Sequence, residues 1–268
     1  VGPAVRMLKP GDLVVPAIRR PCTPQCPLCL KHRTDLCVSG AYRERGIFGL
    51  HGYLCEFAAD SERYLHRVPA SVAEFAVVTE PLSVVEKAVA TALRLREEPA
   101  ATALVFGAGP IGLLAALVLQ LRGIETTVQS LESPGHARAR IVERAGMHYL
   151  QTGQTPHAPV DIAIEATGSP EASFAAIRSL ASLGVCVLLG ASEGHGDVSF
   201  TNLVTRNQRI AGSVNASPAS FKAAIEDLPS LDPGLLRSLI ERVPFTEFPR
   251  TISTGVALSS AKLVHVLN

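Results

Sequence analysis

Four of the chain's six cysteines fall within CTPQCPLCLKHRTDLC, residues 22–37. Thiols packed this densely are open to three chemistries. Disulfides belong to oxidising compartments, and no cysteine-spaced scaffold continues through the rest of the chain. The set therefore fits a reducing compartment, and with it a cytoplasmic location. Ordinary free cysteines are buried among apolar neighbours, whereas these sit among Pro, Gln, Lys, His, Arg and Asp. The third chemistry is a tetrahedral zinc site. Cys22, Cys26, Cys29 and Cys37 stand as CxxxCxxCx7C, and four thiolates at about 2.3 Å close around one ion without leaving an open position, which makes the metal structural rather than catalytic. A loop this polar buries little apolar surface, so the metal supplies the folding free energy. Cys55 in GYLCEFA and Cys186 in GVCVLLG are expected as core residues of strands.

A second constellation is Gly107-Ala108-Gly109-Pro110-Ile111-Gly112. In a strand–turn–helix unit Gly107 permits the tight turn, Gly109 lets a pyrophosphate approach the backbone, and Gly112 lets the helix pack close to the sheet. The helix N-terminus favours the phosphate charge. A glycine-rich turn without a ligand is the bland alternative. An acid is expected about twenty residues further on, at the end of the next strand, to hold the ribose hydroxyls. Glu132 occupies that place, with Ser130 and Arg138 nearby as acceptors of a 2′-phosphate. NAD and NADP both stay open, as does a solvated-surface reading of these charges.

Those residues need elements to position them. GDLVVPAI, GYLCEFAAD and YLHRVP read as strands, so the first 70 or so residues are β-rich, with the cysteine lobe as an excursion. FAVVTEPLSVVEKAVATALRL carries helical periodicity. From residue 101 strands and helices alternate: ALVFGAG, PIGLLAALVLQLRG, TTVQS, ARARIVERAG, DIAIEATG, PEASFAAIRSLASLG, VCVLLGA. That alternation predicts an α/β fold, a Rossmann-type doubly wound parallel sheet covered on both faces. A net charge of +1, from 25 basic and 24 acidic residues, gives little attraction for a polyanion, and no aromatic platform accompanies Arg19, Arg20, Lys31 and Arg33 beside the cysteines. No nucleic-acid partner is expected. The longest uncharged apolar stretch, ATALVFGAGPIGLLAALVLQL, is broken by glycines and a proline and reads as strand, turn and helix rather than as a membrane span.

GDLVVPAIRRPC, the four-cysteine lobe, ERGIFGLHGY, VVTEPLSVVEKAV, VFGAGPIGLLAA, IEATGS, VLLGAS and AGSVNAS together resemble the zinc-dependent medium-chain dehydrogenases, specifically their glucose (aldose) 1-dehydrogenase branch. The resemblance covers essentially the whole chain. Many members carry CxxCxxCx7C, so the extra residue between Cys22 and Cys26 is a small departure. The resemblance implies a partial GroES-like catalytic domain, incomplete at its N-terminus, over residues 1–85 with its zinc lobe at 22–37, a Rossmann dinucleotide-binding domain over 86–222, and a segment 223–268 returning to the catalytic domain. It also implies a homo-oligomer, dimer or tetramer.

By the same resemblance Glu80 in TEPL is the carboxylate near the catalytic zinc, serving as metal ligand, catalytic group and substrate contact; by itself it is equally a helix N-terminal acid. Glu44 corresponds to a sugar-binding acid and Asn215 to the residue that contacts nicotinamide and sugar. Leu189, Gly190, Ala191, Ser213 and Val214 would present backbone to the nicotinamide. The implied activity is hydride transfer from C1 of an aldose such as glucose to NAD or NADP, giving an aldonolactone, with zinc polarising the hydroxyl. The alternatives are a polyol or alcohol dehydrogenase on the same fold and a non-catalytic nucleotide-binding protein. The family's other catalytic-zinc ligands, an N-terminal Cys or Asp and a Gly-His-Glu segment, lie before the position where Val1 aligns. The chain is accordingly expected to be a fragment that binds nucleotide and structural zinc but does not itself oxidise sugars at an enzymatic rate.

Overall fold

A computed structural model describes residues 1–191, 193–253 and 261–267. Ser192 of the VLLGAS motif and residues 254–260 and 268 of the C-terminal segment lie outside the described residues. The chain divides into two compact units. One holds residues 1–84 and 214–229, the other 85–213 and 230–268.

The first unit opens with β1 (Val14–Pro16), β2 (Arg19–Arg20), the single-turn helix α1 (Pro27–Leu30), β3 (Arg43–Arg45), β4 (Gly49–Leu50) and β5 (Leu65–Arg67). β1 pairs antiparallel with β5, and β2, β3 and β4 form a second small sheet in which Arg19 faces Glu44. The strand expected around Cys55 does not form: residues 51–60 are irregular, Cys55 is exposed, and Phe57 is 91 % exposed. An alternating pattern becomes a strand only where a neighbouring strand takes up its amides, and among the described residues none pairs with this stretch. Cys186 does take its expected place, fully buried in a central strand.

Helix α2 (Thr79–Leu95) begins at TEPL rather than at Phe75, because residues 70–78 wind as a tighter 3₁₀ segment kinked at Val72. Its buried Leu82, Val85, Val89 and Ala92 fall on one helical stripe. Next come β6 (Thr102–Phe106), α3 (Pro110–Leu121), β7 (Glu125–Ser130), α4 (Ala137–Arg144), β8 (His148–Gln151), β9 (Val160–Glu165), α5 (Pro170–Arg178), β10 (Leu180–Leu188), α6 (Phe200–Thr205) and β11 (Arg209–Gly212). The six strands form one all-parallel sheet in the order β11-β10-β9-β6-β7-β8. The order reverses between β6 and β9, the switch point at which nucleotides bind in doubly wound sheets. Residues Gly112–Leu119 of α3 are all buried, as a helix apolar on every face requires.

The C-terminal residues contribute α7 (Pro218–Asp227) to the first unit, and α8 (Pro233–Leu239), β12 (Ile240–Pro244) and β13 (Lys262–Val266) to the second. The segment 223–268 is thus divided at residue 229. α8 packs against α4, and β12 and β13 pair in parallel with each other.

Candidate functional site

The four clustered cysteines converge as their spacing requires. Their sulfurs all lie within 4.8 Å of one another, and among the described residues this is the one group of three or more metal-binding side chains so assembled. α1 sets Cys26 and Cys29 one turn apart, with Pro27 at its first position, and a 3₁₀ turn over Thr34–Leu36 delivers Cys37. The Cys26 amide donates to Cys22 Sγ at 3.1 Å. Backbone N–H groups of Cys29 and Val38 point at the Cys26 sulfur and lower its pKa to about 6, while burial pushes the Cys29 thiol up to about 12. Four thiols this close cannot all ionise without a cation among them, and a soft dication supplies that charge. The donor set fits zinc, with no position left for a substrate.

The glycine turn follows β6 at the switch point. Gly107 has φ +105°, and a Cβ on Gly112 would stand 2.0 Å from the Gly107 carbonyl oxygen. Gly109 caps α3 without a side-chain partner, and nothing lies within 4 Å of where its Cβ would be. Pro110, which has no N–H to leave unpaired, starts the helix, and the amides of Ile111 and Gly112 that follow have no acceptor within the helix.

Past β7, Glu132 accepts hydrogen bonds from the Ser130 hydroxyl and from Arg138 Nη1, the latter at 2.8 Å. Partial burial opposes its charge, but these donors outweigh it and hold the carboxyl below the usual range. Tyr149 adds a contact absent from the sequence reading: its hydroxyl donates to the Glu132 carbonyl at 2.6 Å and lies 2.9 Å from Ser130 Oγ. Ser130, Glu132 and Arg138 are therefore one linked group rather than separate surface charges.

Glu165, the last residue of β9, was likewise not singled out by sequence. It is fully buried, and its Oε1 accepts from the Thr167 amide at 2.6 Å and the Gly168 amide at 3.0 Å. Its carbonyl accepts from the amides of Leu189 and Gly190. A Cβ on Gly190 would meet Gly168 N at 2.1 Å, so only glycine fits. An acid ending an apolar strand, as in DIAIEATG, was the available signal. Ala191 is exposed beyond this junction, and Ser213 is buried with its amide bonded to the Leu188 carbonyl.

In the first unit the structure joins Glu44 and Asn215, 171 residues apart in sequence: Asn215 Nδ2 donates to Glu44 Oε1 at 2.6 Å. Asn215 has a left-handed φ of 59°, and its Oδ1 accepts from the Ala216 amide at 3.0 Å. Its neighbour Val214 is 57 % exposed. Glu80 stands in the first turn of α2 and does not belong to the cysteine group.

A six-stranded parallel sheet wound as 3-2-1-4-5-6 with a glycine turn at its switch point is a dinucleotide-binding fold, and this chain adds to it a four-thiol lobe with the donor set of a structural zinc. A family model described as the glucose dehydrogenase C-terminus matches residues 73–255. The glucose 1-dehydrogenase of Methanocella arvoryzae is 38 % identical over 260 residues, spanning 90 % of this chain and 72 % of that protein. Glucose 1-dehydrogenase 2 of Vulcanisaeta moutnovskia is 39 % identical over 85 % of this chain and 67 % of its own length. The glucose dehydrogenase of Haloferax mediterranei, solved in complex with NADP, Zn and gluconolactone, superposes with a TM-score of 0.90 at 29 % identity, covering 99 % of this chain and 80 % of that one. The chain belongs to the glucose dehydrogenase family.

Proposed function

We propose that the protein oxidises an aldose such as glucose at C1, giving the aldonolactone and a reduced nicotinamide nucleotide. The observation that carries this reading is the Glu44–Asn215 pair. It sets a carboxylate and a carboxamide side by side, the acceptor and donor combination that neighbouring sugar hydroxyls require. The gluconolactone bound to the Haloferax relative supports the product.

In this reading Gly107, Gly109, Pro110, Ile111 and Gly112 cradle the pyrophosphate, and Ser130 and Glu132 take the adenosine ribose of NAD or NADP. The backbone of Leu189, Gly190, Ala191, Ser213 and Val214 faces the nicotinamide. Glu44 and Asn215 orient the sugar, Glu80 serves the catalytic zinc, and Cys22, Cys26, Cys29 and Cys37 hold the structural zinc. When bound, the catalytic zinc acidifies the anomeric hydroxyl and the nicotinamide receives the hydride. The chain's own residues fix the sugar so that C1 is presented, and hold the nucleotide by backbone contacts that no side chain obstructs. No helix among the described residues is long and apolar enough to cross a membrane. Four thiols gathered as metal ligands rather than paired as disulfides support a reducing, cytoplasmic setting. Among the described residues no strand pairs with the outer edge of β11, where Ile210 is 39 % exposed, and such an edge supports a homo-oligomer. The test is glucose deuterated at C1: the deuterium is expected on C4 of the reduced nucleotide, and reduced nucleotide free of the label would overturn the reading.

A further inference from the structure

Arg19 enters the sequence reading only as one of the basic residues beside the cysteines. In the structure it is 7 % exposed, and its guanidinium reaches in two directions. Nε donates to Glu44 Oε1 at 2.8 Å, and Nη1 donates to the Asp35 carbonyl at 3.3 Å. Its Cζ lies 3.8 Å over the Tyr42 ring. The Asp35 carbonyl belongs to the 3₁₀ turn that delivers Cys37, and the Asp35 carboxylate is gripped by Arg33 through Nε at 3.0 Å and Nη2 at 2.9 Å. One planar fork therefore connects the thiolate lobe to the carboxylate that Asn215 also holds.

We infer that Arg19 is a positioning residue for aldose recognition, coupling the metal-closed lobe to the Glu44–Asn215 pair; the inference rests on the reading of that pair as sugar-binding. Arg19 and Asn215 both occupy Glu44 Oε1, and among the described residues no hydrogen bond reaches Oε2. Fixing one oxygen from two sides directs the other, which is left to accept from a sugar hydroxyl. A guanidinium can do this because its donors are rigid with respect to one another, so the Asp35 carbonyl sets the angle at which Nε meets Glu44. That carbonyl is held by a turn closed by the four thiolates around their ion. Loss of the metal frees the turn, lets the fork rotate and leaves Glu44 undirected.

A double-mutant cycle tests the link. Arg19→Lys keeps the charge beside Glu44 but cannot span to Asp35, and Cys29→Ser removes a metal ligand. Gluconolactone is titrated calorimetrically into the zinc- and nucleotide-loaded protein, with NADP titrated separately as control. Each single substitution is expected to weaken lactone binding about tenfold and the pair still about tenfold, since both break the same connection. NADP affinity is expected to stay within about twofold, and Arg19→Lys to retain its lobe zinc. Cys37→Ser, at the least buried of the four thiols, serves as a second lobe variant should Cys29→Ser fail to fold. Losses that multiply to about a hundredfold, or a lobe variant that sheds its zinc yet binds lactone normally, would overturn the coupling. Glu44→Gln separates the two levels. If it weakens lactone binding while Arg19→Lys does not, the inference about Arg19 falls and the sugar reading stands. If Glu44→Gln changes nothing, the sugar reading fails and the inference falls with it.

Discussion

Glu132 illustrates how a single side chain can set a cofactor preference through the neighbours it occupies. Its carboxylate draws in Arg138 and Ser130, the two groups best suited to receive a 2′-phosphate. Glu132→Gln removes the repulsion towards that phosphate and loosens the grip on Arg138, so the NADP-to-NAD affinity ratio is expected to rise roughly tenfold. Nucleotide titrations of both proteins check it, and an unchanged ratio would show that Glu132 does not govern the choice. The residues were readable from their distance to the glycine turn. Their mutual engagement was not, because Tyr149 joins them from the next strand and nothing in local sequence reports that distance. Arg19 was illegible for a related reason. A basic residue beside polar cysteines reads as solvated until the fold buries it against Glu44.

Among the elements, the βα turn gives the sharpest contrast. A methyl group at Gly112 would collide with the Gly107 carbonyl, whereas one at Gly109 would meet nothing. Gly112→Ala is therefore expected to cost on the order of 3 kcal/mol of stability, seen in denaturant unfolding. Gly109→Ala should fold normally and lose about tenfold or more in nucleotide affinity, because the space it fills is the space a phosphate needs. Full affinity in Gly109→Ala would place the nucleotide elsewhere. The cysteine lobe is the other decisive element. Metal analysis of Cys29→Ser is expected to show the structural zinc lost and the melting temperature lowered, and unchanged metal content would count against the site. Both elements were legible because glycine and cysteine have few reasons to recur at such spacings. The strand expected at Cys55 was misread because alternation reports which faces a segment could bury, not whether a partner strand exists.

At the scale of the molecule, strand–helix alternation sufficed for the parallel sheet. A return of the chain to the first unit was expected from the resemblance over 223–268, whereas the compact unit takes residues 214–229; those bounds were not readable, because α7 is an ordinary amphipathic helix whose destination depends on packing. That return stacks Phe221 on His66, ring centroids 4.1 Å apart. Burial lowers the pKa of His66. The folded protein then resists a proton that the unfolded chain accepts near pH 6.5, so stability is full above that pH and declines as pH falls through the lowered value. Melting temperature is expected to drop as pH falls below about 6.5, with a shallower drop in His66→Phe; identical slopes would assign the loss to other groups.

The measurement that bears most directly on function is a substrate panel on the protein. Glucose, galactose, sorbitol and ethanol are each supplied with NAD and with NADP, and the products are identified. Oxidation at C1 of an aldose requires reduced nucleotide and aldonolactone formed one for one from at least one of the two sugars, with the polyol and the alcohol turned over far more slowly. Efficient oxidation of sorbitol or ethanol, with the aldoses left unchanged, would contradict it.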